Sequence, residues 1–191
     1  IRDRHYVDGG LRENVPAEMA IGHLGVTNPY VITCSPPGAQ RESDFGSRNM
    51  LDLVMRSVSI LTDETERDEV AYARNAGAVV IGPEISGHDS MTDDPGLLRI
   101  NRDYGWMRSA EKHVKSGLED HELVKDAVRT RMRGWELEQA WLKDEASRDD
   151  MDEMQHVKDH LRDVAARLPL DLAPDGVETW GRVLEGHGHP Q

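Results

Sequence analysis

Two short apolar runs on either side of a long helical pattern constrain the fold more than any other feature of the sequence. The runs are Tyr30–Cys34 and Ala78–Ile81, and each is followed by proline and glycine, which predicts two buried strands. Between them, residues 47–73 carry apolar side chains at spacings of three and four, which predicts a helix. This order predicts parallel strands in an α/β layer whose sheet is covered on both faces.

The second half of the chain has a different pattern. A helix is predicted over residues 96–115, after which residues 119–145 and 151–168 form two amphipathic patterns. Ser147 stands where it can cap the second of these helices, so the pair is expected to form a helical hairpin. We therefore predict an α/β part over residues 1–116, a hairpin extension over 117–168, and a loose tail over 169–191 in which Trp180 and Leu184 are candidates for docking.

Charge and composition exclude several classes of function. The chain has 23 basic and 36 acidic residues and a net charge of −13, which disfavours nucleic acid and a standing attraction to anionic membranes. No apolar run approaches the ~18 residues that span a bilayer, so any membrane contact is expected to be transient and at the surface. The single cysteine, Cys34, excludes an internal disulfide and fits a reducing compartment such as the cytoplasm.

The stretch most informative about chemistry is residues 6–16, which read Y-V-D-G-G-L-R-E-N-V-P. A short β-prone segment ends at Asp8, and Gly9 and Gly10 then predict a tight turn with unusual backbone angles. Asn14 and Pro16 follow at a fixed distance, and Pro16 suits the first turn of a short helix that runs to about residue 25.

This stretch resembles the second catalytic block of patatin-like phospholipases, in which Asp-Gly-Gly or Asp-Gly-Ala is followed by Asn-x-Pro and a helix. The resemblance covers roughly residues 5–116 and is strongest over residues 6–25. It implies that the α/β part belongs to a three-layer α/β/α sandwich with mainly parallel strands. It also implies hydrolysis of lipid acyl esters by a serine and aspartate dyad, without a metal or an organic cofactor.

Within this resemblance, Asp8 is the catalytic base. A serine hydroxyl is a weak nucleophile until a base accepts its proton, and a carboxylate at a strand end can serve as that base. Gly9 and Gly10 shape the turn that presents Asp8, and Asn14 and Pro16 complete the motif.

The nucleophile of such a dyad is missing from the sequence. None of the serines has glycine two residues before and two residues after it, so there is no G-x-S-x-G elbow, and there is no Gly-Gly-Gly loop for an oxyanion hole. We therefore expect the chain alone to be inactive, either because it is part of a longer hydrolase whose N-terminal half supplies the serine, or because it is a pseudo-enzyme piece.

Other candidate residues have simpler interpretations. Cys34 is expected to pack as a small apolar side chain in a buried strand. A triad from Ser86, His88 and Asp89 is disfavoured because triads are assembled from separated segments. The acidic stretch 144–159 is interpreted as a solvated helix face. Two possible metal-binding sets lack a complete ligand geometry: Glu153 with His156 and His160, and His187 with His189.

Two other functions compete with the hydrolase. The first is a non-catalytic interaction module, in which the α/β part is a docking platform and the hairpin presents an apolar stripe to another chain. The second is a nucleotide-binding α/β domain, which ranks last because no strand is followed by G-x-G-x-x-G or by a Walker A loop.

Overall fold

The computed structural model describes residues 9–11, 13–34, 36, 49–85 and 93–181. Its contacts divide the chain into two compact units, unit 1 (Ile1–Glu84) and unit 2 (Ile85–Gln191). The elements in chain order are a 3-10 turn Gly9–Leu11, a π-helix Met19–His23, β1 Tyr30–Ile32, α1 Met50–Asn75, β2 Val79–Ile81, α2 Pro95–Val114, α3 Leu118–Leu142, α4 Arg148–Arg167 and a 3-10 turn Val177–Thr179.

The two strands of unit 1 form a parallel pair, as the sequence predicts. Tyr30 lies opposite Val79, and the register continues to the pair of Ile32 and Ile81. The strands have three residues each and are shorter than the apolar runs that predict them. Gly77, with a φ of 85°, makes the turn between α1 and β2, a conformation that glycine adopts without steric cost.

Burial in β1 alternates rather than being continuous as predicted. Val31 is 8% exposed, whereas Tyr30 and Ile32 on the opposite face are 67% and 70% exposed. The prediction that both faces of the sheet are covered is therefore wrong for the described residues. The small core of unit 1 lies on the covered face, and its buried members are Ala17, Val31, Val70 and Ala73.

Helix α1 is confirmed, but its apolar first half is exposed. Asn49 caps the helix by accepting a hydrogen bond from the backbone N–H of Asp52 at 3.0 Å. The only buried residues of this helix, Val70 and Ala73, lie in its last two turns. The two short strands are in contact with that end and are too small to cover 26 residues of helix.

Unit 2 contains the predicted helical hairpin. Helices α3 and α4 pack against each other, and α2 packs against α3. Ser147 caps α4 as predicted, since its hydroxyl accepts from the backbone N–H of Asp150 and the Asp150 carboxylate accepts from the backbone N–H of Ser147. The sequence analysis placed α2 in the α/β part over residues 1–116. In the structure, α2 belongs to unit 2 together with the hairpin.

The core of unit 2 is larger and includes the segment after α4. Its buried apolar residues are Leu97, Ile100, Tyr104, Met107, Val124, Ala127, Val128, Leu161, Val164, Leu168, Leu172 and Trp180. The docking of Trp180 is confirmed, and Leu172 is also buried, so residues 169–181 are not a loose tail. Leu184 lies outside the described residues. None of the described helices has the length and apolarity to cross a membrane.

Candidate functional site

The aspartate block is described only from its glycines onward. Asp8 and the β-prone segment before it lie outside the described residues. Gly9 begins a 3-10 turn, and its carbonyl accepts a hydrogen bond from the backbone N–H of Glu13 at 3.1 Å. The turn is therefore tight, as predicted, but Gly9 does not adopt a left-handed φ, so the expected unusual backbone angle is absent at this glycine.

The Asn-x-Pro segment is fastened to helix α1. The amide of Asn14 donates to Glu66 Oε2 at 2.5 Å, and the backbone N–H of Val15 donates to Glu69 Oε2 at 2.6 Å. Pro16 disfavours a helical conformation for Val15, so the chain stays non-helical until Ala17, where a short helix begins. These bonds hold the segment that follows Gly9 and Gly10 at one position along α1.

A cavity of about 360 Å³ lies between this segment and α1. Four of its five lining residues carry carboxylates, and the lining residues are Glu13, Glu18, Asp68, Glu69 and Tyr72. An acyl chain requires an apolar wall, because burying carboxylates beside hydrocarbon is costly. This cavity is therefore unsuited to an acyl chain, although it lies next to the predicted catalytic block.

Unit 2 has a cavity of about 430 Å³, formed by α2 and the segment after α4. Trp106, which is 58% exposed, contributes to its wall together with Asp103 and Ser109. The Ser109 hydroxyl donates to the backbone carbonyl of Gly105 at 2.8 Å, and Asp103 accepts from two arginines. The Asp103 oxygens are bound to arginines and the Ser109 hydroxyl is bound to the backbone, so the structure shows no serine–aspartate hydrogen bond of a hydrolytic dyad here.

Two buried charged clusters in unit 2 were not anticipated from the sequence. In the first, Arg131 donates to Asp103 Oδ2 at 2.7 Å, and its guanidinium lies 4.5 Å from the ring centre of Trp180. The side chains of Arg131 and Asp103 are 3% and 5% exposed. This cluster joins α2, α3 and the segment after α4, and a charge-assisted bond with a cation–π contact offsets the burial of both ions.

The second cluster lies where α2 meets α3. Arg108 Nη1 is 2.6 Å from Glu111 Oε2 and 2.8 Å from His121 Nδ1, and the same Nδ1 is 3.0 Å from Glu111 Oε1. A neutral Nδ1 accepts from Arg108, whereas a protonated Nδ1 donates to Glu111. In either state the carboxylate of Glu111 is held by Arg108, which gives this group a structural role.

The sequence around each residue predicts at most part of these two clusters. Arg108 and Glu111 are spaced three apart on one helix, which is compatible with an ion pair. Arg131 and Asp103 are 28 residues apart on different helices, and only the packing of α2 on α3 brings them together.

Two of the three side chains in the possible metal-binding set on α4, Glu153 and His160, are bound to other partners. Glu153 accepts two hydrogen bonds from Arg133 at 2.7 Å, which lowers the pKa of the Glu153 carboxyl. His160 Nε2 is 2.9 Å from Asp126 Oδ2, and His156 is exposed. The described residues contain no cluster of three or more ligands suited to a metal. The interpretation of 144–159 as a solvated face is confirmed by its exposed carboxylates, which include Asp144, Glu145, Asp149, Asp152 and Asp159.

Cys34 is exposed, so its interpretation as a buried apolar side chain is wrong. The reason is that β1 ends at Ile32, two residues before Cys34. The remaining candidates lie outside the described residues: Ser86, His88, Asp89, His187 and His189.

No protein-family model, curated protein or solved structure matches the chain. The resemblance to patatin-like phospholipases therefore depends on the motif in residues 6–16.

Proposed function

We propose that the chain is part of a patatin-like serine acyl hydrolase and supplies its catalytic aspartate. In this proposal unit 1 belongs to a three-layer α/β/α sandwich with mainly parallel strands. The nucleophilic serine and the oxyanion loop come from an N-terminal half outside the 191 residues. The substrates are lipid acyl esters, and the reaction uses no metal or organic cofactor.

The observation that carries the proposal is the way the motif is fixed. Asn14 and Val15 are bound to Glu66 and Glu69 of α1, directly before a short helix whose Ala17 is buried. A base must be held at a defined position to abstract a proton, and the anchoring of Asn14 and Val15 to a long helix supports such a role for the motif they belong to.

The exposed apolar surface of unit 1 gives independent support. A parallel sheet normally has both faces covered, yet Tyr30 and Ile32 are exposed on one face of β1. Two strands alone make a marginal sheet, and further strands and a covering layer would complete it. This is the surface expected of an α/β layer that is completed by other sequence.

In the proposed reaction, Asp8 accepts the proton of the serine hydroxyl as the serine oxygen attacks the ester carbonyl. The protonated Asp8 gives this proton to the leaving alcohol, and the acyl group remains on the serine. Asp8 then accepts a proton from water, the water oxygen attacks the acyl ester, and the fatty acid is released as the serine recovers its proton. The carboxylate returns to its ionised state at the end of the cycle.

Hydrolysis of a p-nitrophenyl acyl ester tests the role of Asp8. The 191 residues alone are expected to be inactive, because they contain no G-x-S-x-G serine. In the protein that includes the serine, Asp8→Ala is expected to lower kcat by a factor on the order of 10²–10⁴. Asp152→Ala, which removes an exposed carboxylate on α4, is the matched control and should leave kcat unchanged.

Two results would contradict the proposal. One is hydrolysis by the isolated chain that survives Asp8→Ala. The other is an equal kcat for the Asp8→Ala and Asp152→Ala variants of the serine-containing protein.

A second candidate function, a non-catalytic interaction module, is favoured by the exposed first half of α1. Leu51 and Leu61 on that half are each 68% exposed, which is unusual for leucines that follow a helical stripe. Size measurement separates the two candidates, since a self-sufficient module should be soluble and of uniform size, whereas an incomplete domain should aggregate or bind its missing half.

A further inference from the structure

The first half of α1 carries a continuous exposed apolar stripe. It consists of Leu51, Val54, Val58 and Leu61, which are 68%, 53%, 41% and 68% exposed. Their spacings of three, four and three place them on one line along the helix, as in the seam of a coiled coil. We refer to these four residues as the α1 stripe.

Charge is distributed very unevenly along the same helix. Residues 50–62 contain one acidic and one basic side chain, Asp52 and Arg56, and have no net charge. Residues 63–69 contain five carboxylates and only Arg67 as a base, for a net charge of −4. The apolar half is thus neutral, and the half that follows it is strongly acidic.

We propose that the α1 stripe is the interface of a homodimer in which two α1 helices pack antiparallel about a two-fold axis. In that arrangement Leu51 lies opposite the partner's Leu61, and Val54 lies opposite the partner's Val58. The stripe reads Leu, Val, Val, Leu in either direction, so it matches itself in size when the second helix is reversed. A two-fold interface requires this kind of self-complementarity.

The charge distribution selects the antiparallel orientation. In a parallel pair the two acidic halves, each with a net charge of −4, would lie side by side and repel each other. In an antiparallel pair they extend from opposite ends of the neutral interface. A membrane surface fits this helix less well, because interfacial helices use lysine and arginine beside their apolar face to bind anionic lipid.

The size of the stripe sets the expected strength of the dimer. The 11 residues from Leu51 to Leu61 span about 15 Å of helix. A pair of such segments buries less than the about 800 Å² per partner of a standard stable interface. The dimer is therefore expected to dissociate on dilution. This inference does not depend on the proposed hydrolase.

Sedimentation velocity over a range of concentrations tests the interface with a matched pair of variants. Val58 lies in the stripe and is 41% exposed, whereas Ile60 is 45% exposed on the same helix but outside the stripe. Val58→Asp is expected to raise the dissociation constant at least about tenfold, because it buries a charge at the interface. Ile60→Asp is expected to leave the constant within about a factor of two of the unmodified chain.

Cross-linking tests the orientation without a disruptive substitution. In a Cys34→Ser background, Leu51→Cys and Leu61→Cys chains are mixed and mildly oxidised. Antiparallel packing brings position 51 of one chain opposite position 61 of the other, within the about 7 Å between Cα atoms that a disulfide allows. Two copies of position 61 would be separated by about 15 Å along the helix, so Leu61→Cys alone should not cross-link.

Three results would overturn the proposal. The first is that the unmodified chain stays monomeric at every concentration. A monomeric chain that binds neutral lipid vesicles instead would count as this result. The second is an equal effect of Val58→Asp and Ile60→Asp while circular dichroism shows both variants folded. The third is efficient cross-linking of Leu61→Cys alone, which would indicate parallel helices.

Discussion

The two units of this chain contain helices with similar apolar periodicity, but the first half of α1 in unit 1 leaves its apolar residues exposed. Leu137 on α3 is 2% exposed, and Leu161 on α4 is 3% exposed. Leu51 and Leu61 on α1 follow the same kind of spacing and are 68% exposed. Periodicity identifies the face of a helix that favours burial, but burial itself requires a partner surface of matching length.

This difference in burial predicts that unit 1 is less stable than unit 2. Among the described residues, the core cluster of unit 2 has twelve buried apolar side chains, whereas that of unit 1 has four. Unit 1 is therefore expected to open at a lower free energy, and its backbone amides should exchange hydrogen faster than those of α2 and α3.

The largest effect is expected from breaking the buried ion pair of unit 2. Arg131→Met removes the buried partner of Asp103 and leaves Arg102, whose side chain is 68% exposed, so it is expected to lower the free energy of unfolding by up to about 3–5 kcal/mol. Arg133→Met on the same helix breaks an exposed pair with Glu153, so it should cost no more than about 1 kcal/mol. Chemical denaturation measures both, and equal losses would contradict a structural role for the buried pair.

A pair of methionines compares the two units directly. Met107 in unit 2 is fully buried, and Met107→Ala is expected to cost about 2–5 kcal/mol because it leaves a cavity. Met50 in unit 1 is 81% exposed, and Met50→Ala should change the free energy of unfolding by less than about 0.5 kcal/mol. Thermal unfolding at a concentration that keeps the chain monomeric measures the difference. A large loss for Met50→Ala would show that the apolar half of α1 is covered in the monomer.

Gly181 tests whether the segment after α4 is an integral part of unit 2. A Cβ at this position would lie 2.8 Å from the backbone carbonyl of Lys158 and would overlap Arg162. Gly181→Ala is therefore expected to cost about 1–3 kcal/mol through overpacking. An unchanged midpoint of thermal unfolding would mean that residues 169–181 are not held against α4.

Two glycines with open surroundings are expected to respond in opposite directions. A Cβ would meet nothing within 4 Å at either Gly77 or Gly105. Gly77 has a φ of 85°, so Gly77→Ala should destabilise unit 1 by about 1–2 kcal/mol. Gly105 lies inside α2 with ordinary helical geometry, so Gly105→Ala should stabilise unit 2 by about 0.4–1 kcal/mol. Thermal unfolding of each variant measures the sign, and a shared sign would contradict the assigned backbone conformations.

The smallest effect is a pH dependence at the start of α4. Hydrogen bonds from the side chain and the backbone N–H of Ser147 hold the pKa of Asp150 below its usual value of 3.8. Because the pKa is lowered in the folded state, the stabilisation is present above the unfolded value and is lost as the pH falls through the folded value. Asp150→Asn should therefore be less stable than the unmodified chain near neutral pH, and the difference should shrink below about pH 4. Urea denaturation across this pH range measures the difference in the free energy of unfolding between the two chains. A difference that grows in acid would contradict the hydrogen-bonded cap.

The sequence was informative where structure depends on near neighbours. The order strand–helix–strand predicted the parallel pairing of β1 and β2, and the place of Ser147 before the amphipathic pattern of α4 predicted the cap. The candidate site was predictable only as a motif. The hydrogen bonds of Asn14 and Val15 to α1 join residues more than 50 positions apart, and no local pattern encodes such a pairing.

By itself, the sequence determined the types of the helices and strands, the hairpin and the absence of a G-x-S-x-G serine, because these depend on local spacing and residue identity. Only the tertiary structure decided that α2 packs with the hairpin, that Cys34 is exposed, and that the apolar half of α1 is left uncovered. The physical reason is that burial depends on which distant surfaces meet, and the free energy of those contacts is shared between segments that a local pattern treats separately.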